Sequence, residues 1–198
     1  MDIIKELSVI DAEIYTGGEN GRKGLCVHQG STDPIGDVPL SISFEHHQVH
    51  EGYAFQCTIP YAALGSGSSF DLLISVPVFE NSLRAPHIIP IIYATAQTLE
   101  SLYEAPTVTG TGTATESVNR DRGATNIAKT VIRTGATFGA LGKLLDQRII
   151  GDKNQGGYSN QLDEWILKSN TNYLFRVTAQ AASNNIVVKL NWYEDEND

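Results

Sequence analysis

The sequence predicts an all-β fold, a jelly-roll-like β-sandwich or barrel with long loops, and three observations carry that expectation. Apolar and polar residues alternate along much of the chain with the two-residue period of half-buried strands. Charged residues make up only 19%, while Thr, Ser and Asn together number 42 beside 18 Gly, a mixture suited to strands and turns rather than to solvated helices. Turn signals such as Gly65-Ser66-Gly67 separate several of the alternating runs. With 198 residues and 41% apolar content, the chain is expected to form one β domain spanning residues 1–198.

The first residues read either as a short helix over 2–9, with Asp2 near its positive end, or as an extended arm within 1–20. Val38, Leu40, Ile42 and Phe44 then alternate with polar neighbours, as do Tyr53, Phe55, Cys57 and Ile59. Residues 72–78 and 88–94 are more continuously apolar, as strands covered on both faces would be. Pro77 and Pro90 remove a ladder donor each and so favour an edge or a bulge. Weaker strands are expected over 24–28, 99–104, 129–134 and 164–168. The clearest alternation is C-terminal. Tyr173, Phe175, Val177 and Ala179 point one way, Ala182-Ser183-Asn184-Asn185 reads as a turn, and Ile186, Val188, Leu190 and Trp192 follow, so a hairpin is expected.

Two stretches interrupt the pattern. Residues 106–126 are rich in Thr and Gly, without an aromatic residue, and read as a disordered loop or as an extended hairpin or arm; removal of 109–119 within it is expected to leave the core intact. Residues 151–158 form a second glycine-containing loop. No internal repeat is evident.

Composition excludes several function classes. Acids exceed bases to a net charge of −9, which disfavours a nucleic-acid backbone as partner. No apolar run approaches the roughly 18 residues of a spanning helix, and the acidic start lacks the pattern of a secretory signal. Cys26 and Cys57 are too few for a disulfide scaffold and read as reduced apolar fillers.

Catalytic signals are weak. His46, His47 and His50 form a cluster that, with His28 or His87, has the chemistry of a metal site, but in a turn adjacent histidines point apart, and local hydrogen bonding is the favoured reading. The chain carries no nucleophile elbow, zincin helix or phosphate loop. Asp163 and Glu164 are strand neighbours facing opposite sides. Tyr158, Trp165, Trp192 and Tyr193 raise sugar stacking, although Trp192 lies in register with Ile186, Val188 and Leu190 and therefore reads as core. The acidic end, 194–198, reads as a solvated tail. No catalytic residue, metal ligand or cofactor is expected.

Six blocks occur in order: Val49-His50-Glu51-Gly52-Tyr53-Ala54-Phe55, Leu102-Tyr103-Glu104-Ala105-Pro106-Thr107, Asn119-Arg120-Asp121-Arg122, Glu164-Trp165-Ile166-Leu167-Lys168, Asn172-Tyr173-Leu174-Phe175-Arg176-Val177 and Asn191-Trp192-Tyr193-Glu194. In these the chain resembles a group of tailed-bacteriophage virion proteins that decorate or cement capsids. The resemblance covers residues 49–194 and implies a non-enzymatic structural protein on the outer capsid surface, made in the bacterial cytoplasm. It further implies partners in copies of itself, as a homotrimer, and in the major capsid protein, with no direct nucleic-acid or membrane contact. The expected contact segments are residues 1–9, 106–126 and 151–158. A head or tail fibre, an adaptor, and a carbohydrate-binding module for host attachment are the alternatives.

Overall fold

The computed structural model describes residues 27–28, 40–41, 44–79, 85–152, 157–158 and 164–194. The expected N-terminal arm, Cys26 and residues 195–198 lie outside them, as do 153–156 of the second loop. The chain divides into two compact units, Met1–Gln48 and Val49–Asp198. In the first, β1 (Val27–His28) pairs antiparallel with β2 (Leu40–Ser41). Where alternation predicts a strand running on through Phe44, helix α1 (Phe44–His50) forms instead. The segment holds no Gly or Pro, and Glu45 sits in its first turn, where the helix dipole favours an acid. Gly52, at φ 76°, then turns the chain, its N–H donating to Val49 O at 3.1 Å.

The second unit is a sandwich of two antiparallel sheets. Its strands begin with β3 (Ala54–Leu64), β4 (Ser69–Val76), β5 (His87–Ala94), β6 (Thr98–Glu104), β7 (Thr107–Gly110), β8 (Thr113–Ala114) and β9 (Val118–Asn119). They continue with β10 (Val131–Thr134), β11 (Thr137–Ala140), β12 (Lys143–Ile150), β13 (Gly157–Tyr158), β14 (Trp165–Ile166), β15 (Thr171–Ala179) and β16 (Asn184–Tyr193). The first sheet runs β13-β5-β16-β3-β9, with β14 also on β5; the second runs β12-β6-β15-β4-β10-β8. Alternate residues of both sheets meet in one core. Phe55, Cys57 and Ile59 with Ile186, Val188, Leu190 and Trp192 come from the first, and Phe70, Leu72 and Ile74 with Tyr173, Phe175 and Val177 from the second. Tyr61 of β3 stacks on Phe70 of β4, ring centres 4.0 Å apart. Burying each such side chain contributes about 1.5–3 kcal/mol.

The C-terminal hairpin does not form. β15 lies between β6 and β4 in the second sheet, whereas β16 lies between β5 and β3 in the first. The turn between them is a corner of the sandwich. Both strands show one apolar face because both face the same core, and alternation is the same whether the neighbour in sequence pairs or crosses over. The β3–β4 and β5–β6 connections are corners of the same kind. Asn184, expected in the turn, is fully buried at the start of β16. Its amide donates to Ala96 O at 3.0 Å, Gln97 O at 3.2 Å and Thr98 Oγ1 at 2.8 Å, while its Oδ1 accepts from Ala96 N at 2.9 Å. The left-handed residue is its neighbour Ser183, at φ 56°.

The prolines stand where a missing donor costs no ladder bond. β4 ends at Val76, just before Pro77. Pro86 O accepts from Leu167 N, so residues of that parity on β5, Pro90 among them, turn their backbone towards β14. β14 pairs with His87 and Ile88 and β13 with Tyr93 and Ala94, and Pro90 lies between these two pairings.

The Thr-rich stretch 106–126 holds three short strands, β7, β8 and β9. β6, β7 and β8 run in line and pair with β12, β11 and β10 respectively, giving one antiparallel ribbon with two kinks. Ala105 (φ 54°) and Gly142 (φ 87°) make one kink; Gly112 (φ 68°) and Gly135 (φ 69°) make the other. Each positive-φ residue of the outgoing strand recurs 30 residues later in the returning strand, at 105 and 135, and at 112 and 142. The ribbon is thus a structural repeat folded on itself about a pseudo-twofold axis. The axis extends to the rest of the sheet. β6 pairs with β15 as β10 pairs with β4, and Phe175↔Leu72 and Tyr173↔Ile74 exchange under it. The ribbon leaves the second sheet at the β6/β12 margin and rejoins it at the β10/β8 margin, arching over the β15–β4 pair.

Candidate functional site

α1 places His46 and His50 one turn apart on one helix side, not on a turn as expected. Among the described residues no group of three or more His, Cys, Asp or Glu is arranged to hold a metal ion. His87 belongs to a different constellation, on β5, where the face turned from the core carries His87, Glu164 and Tyr193. Glu164 Oε1 accepts from both His87 Nδ1 and Tyr193 Oη. The Tyr193 hydroxyl lies 3.0 Å from His87 Nδ1, and the two rings stack at 4.6 Å. His87 is 22% and Glu164 40% exposed in their side chains. The trio joins β5, β16 and the residue preceding β14. Its three groups bond to one another, so it acts as a clamp.

A second polar cluster closes the end of the β6–β15 pair. Lys168 Nζ donates to Glu104 Oε1 at 2.8 Å, and Tyr173 Oη donates to Glu104 Oε2 at 3.4 Å while accepting from Lys168 N at 2.8 Å. The Lys168 hydrogen bond holds the Glu104 carboxyl below the usual carboxylate range, and the same bond raises the Lys168 ammonium. Burial pushes the Tyr173 phenol up.

The third cluster centres on buried Glu194 and Thr130. Glu194 is 1% exposed, and its carboxylate accepts from Lys129 N, from Thr130 N at 3.2 Å and from Thr130 Oγ1. It fixes the chain as it enters β10. Nearby, Asn119 Nδ2 donates to Gly52 O at 2.7 Å and Asn126 O at 3.2 Å, and its Oδ1 accepts from Asp121 N at 2.9 Å. Asp121 Oδ1 in turn accepts from Gly123 N at 2.8 Å. A Cβ on Gly52 would lie 2.6 Å from Ala124 Cβ, so glycine is required where this knot meets the β3 entry.

Of the aromatic residues raised for sugar stacking, Trp192 is 1% exposed in the core, 5.9 Å from Phe55. Trp165 is half-buried against the core, and Tyr193 is spent in the clamp. Cys57 is a free, buried thiol 3.2 Å from Thr115 Oγ1, its pKa pushed up by burial. Beside it a groove of about 550 Å³ opens to solvent between β3 and the β8–β9 connection, lined by Gln56, Thr58, Pro60, Thr115, Glu116 and Thr134 among others. It offers hydroxyls, an amide and one carboxylate, with neither a cation for an anionic ligand nor an aromatic face for a sugar. No feature of the sequence reveals these clusters, because each joins residues far apart in the chain, up to 106 positions between His87 and Tyr193. No protein-family model matches the chain, and comparison with curated proteins finds no relative.

Proposed function

We propose that the chain is a non-enzymatic virion protein of a tailed bacteriophage, a homotrimer that decorates the outer capsid surface and bridges capsid subunits. One observation carries this reading. Several polar residues of the six sequence blocks hold strands to one another. Gly52 and Asn119 form the knot, Glu104, Lys168 and Tyr173 close one strand end, Glu164 and Tyr193 clamp β5 to β16, and Glu194 anchors β10. A chain that spends its polar groups on rigidity is suited to a mechanical task. Its negative charge suits the outside of a shell filled with nucleic acid. The core position of Trp192 weighs against the carbohydrate-binding alternative.

Stabilisation would come from binding the assembled shell and not its separated parts, by mass action. The test adds purified protein to shells built from the major capsid protein alone. Saturable binding at fixed stoichiometry and a higher shell melting temperature are expected, with a trimer mass for the free protein in sedimentation. Absence of binding to such shells, with recovery of the chain in the tail or fibre fraction of disrupted virions, would overturn it.

A further inference from the structure

β12 ends the second sheet on one side, and among the described residues no strand lies beyond it. Its inward residues are Asp146, Arg148 and Ile150, opposite Leu102, Glu100 and Thr98 of β6; its outward residues are Leu144, Gln147 and Ile149. Free strand margins are ordinarily blunted by charges, proline or bulges, and β12 has inward Asp146 and Arg148 and a bulge. Here Leu144 is 47% and Ile149 65% exposed on the outward face.

We propose that β12 pairs antiparallel with β12 of a second copy, in the register centred on Gln147, so that the sheet continues across a two-fold axis. Only residues of one parity turn their backbone groups to the free margin, so a symmetric antiparallel pairing must be centred on a residue. Charge then selects which one. Centring on Arg148 sets two guanidinium groups against each other, and centring on Asp146 sets two carboxylates against each other. Centring on Gln147 sets Asp146 of each copy opposite Arg148 of the other. These two side chains already bond within one chain, so the seam carries four charges of alternating sign. The same register brings Ile149 towards Leu144 of the second copy on the outward face, covering both exposed apolar side chains. The bulge between Leu144 and Asp146 ends the regular ladder, so the seam is short and suited to copies held close together. This contact goes beyond the virion reading and stands without it; in a homotrimer the two-fold seam joins copies of neighbouring trimers, not copies within one.

The test is disulfide trapping without capsids. In a chain carrying Cys26→Ser, Gln147→Cys places two thiols on the axis, where Cα atoms about 4.5–5.5 Å apart are within disulfide reach. Mild oxidation should give a covalent dimer. Ile149→Cys is the control, its two copies roughly 13 Å out of register, and should give several-fold less. A Gln147→Cys chain that keeps its β circular dichroism yet stays uncrosslinked would overturn the proposal, as would equal yields from the two variants. A second measurement needs no substitution. Amide exchange at 146–150 should slow as wild-type concentration rises, and exchange independent of concentration would equally overturn it.

Discussion

Leu73 and Leu174 face each other across the β4–β15 ladder on the side turned away from the core, and both are fully buried. Neither belongs to the central apolar cluster. They exchange under the pseudo-twofold axis of the second sheet, and the kinked ribbon passes over them, with Pro106 and Ala136 buried at its kinks and Val108 paired to Phe138 at its centre. The sheet is therefore covered on both sides, by the first sheet on one and by its own ribbon on the other. Leu73→Ala and Leu174→Ala should each cost about 2–4 kcal/mol, as core truncations do. Ile149→Ala, on the exposed margin, should change stability by less than about 0.5 kcal/mol. Urea titration of the three variants checks this.

The ribbon depends on backbone conformation at its kinks. A Cβ on Gly112 would lie 2.2 Å from Thr134 O, and one on Gly142 2.2 Å from Glu104 O, both at positive φ. Gly112→Ala and Gly142→Ala should destabilise by similar amounts, above about 2 kcal/mol, because they are the same position in the two halves of the repeat. Ala105→Gly, at φ 54°, should be neutral or stabilising. Thermal melts that separate Gly112→Ala from Gly142→Ala by several degrees would count against the repeat.

Lys168 and Glu104 give the fold a pH signature. The carboxyl is lowered in the folded state, chiefly by the Lys168 hydrogen bond, so its stabilisation is present above the unfolded value near pH 4 and is lost as pH falls through the lowered one. The ammonium is raised, so its share is present below its unfolded value and lost as pH rises through the raised one. Lys168→Met should therefore be less stable than the wild type across neutral pH, with the two curves converging towards acid. Denaturant midpoints between pH 2 and pH 8 check the convergence; a constant offset would contradict it.

Strands were legible in the sequence, and their neighbours were not. The period of two at Tyr173–Ala179 and Ile186–Trp192 names a buried face, but β15 and β16 present theirs from opposite sheets. The ribbon repeat was hidden because its halves share backbone angles rather than side chains, with Thr107/Thr137 and Gly112/Gly142 among the few identities at equivalent positions. Low apolar content made 109–119 look expendable, yet it holds a ribbon strand and Asn119, so deleting it should unfold the second unit. The His87–Glu164–Tyr193 clamp was illegible for another reason, since the chain brings its members together only through pairing of β5 with β14 and β16.

Glu194 supplies the last prediction. Its buried carboxylate accepts from two backbone N–H groups, of residues 129 and 130, and from the Thr130 hydroxyl. A carboxylate is all acceptor, whereas a glutamine turns an NH₂ towards at least one of those donors and leaves a buried N–H unpaired. Glu194→Gln, nearly isosteric, should thus cost about 1–3 kcal/mol, the penalty of an unmade buried hydrogen bond. Glu116→Gln, on the groove wall, should be within about 0.5 kcal/mol of wild type. The damage should also be local. Residues 129–130 lead into β10, whose Ile132 is fully buried and whose partners are β4 and β8. In native-state hydrogen exchange the amides of 129–134 should lose protection in Glu194→Gln before those of β15 or β16. Uniform loss across all strands would show that the carboxylate holds the whole sandwich and not this one strand.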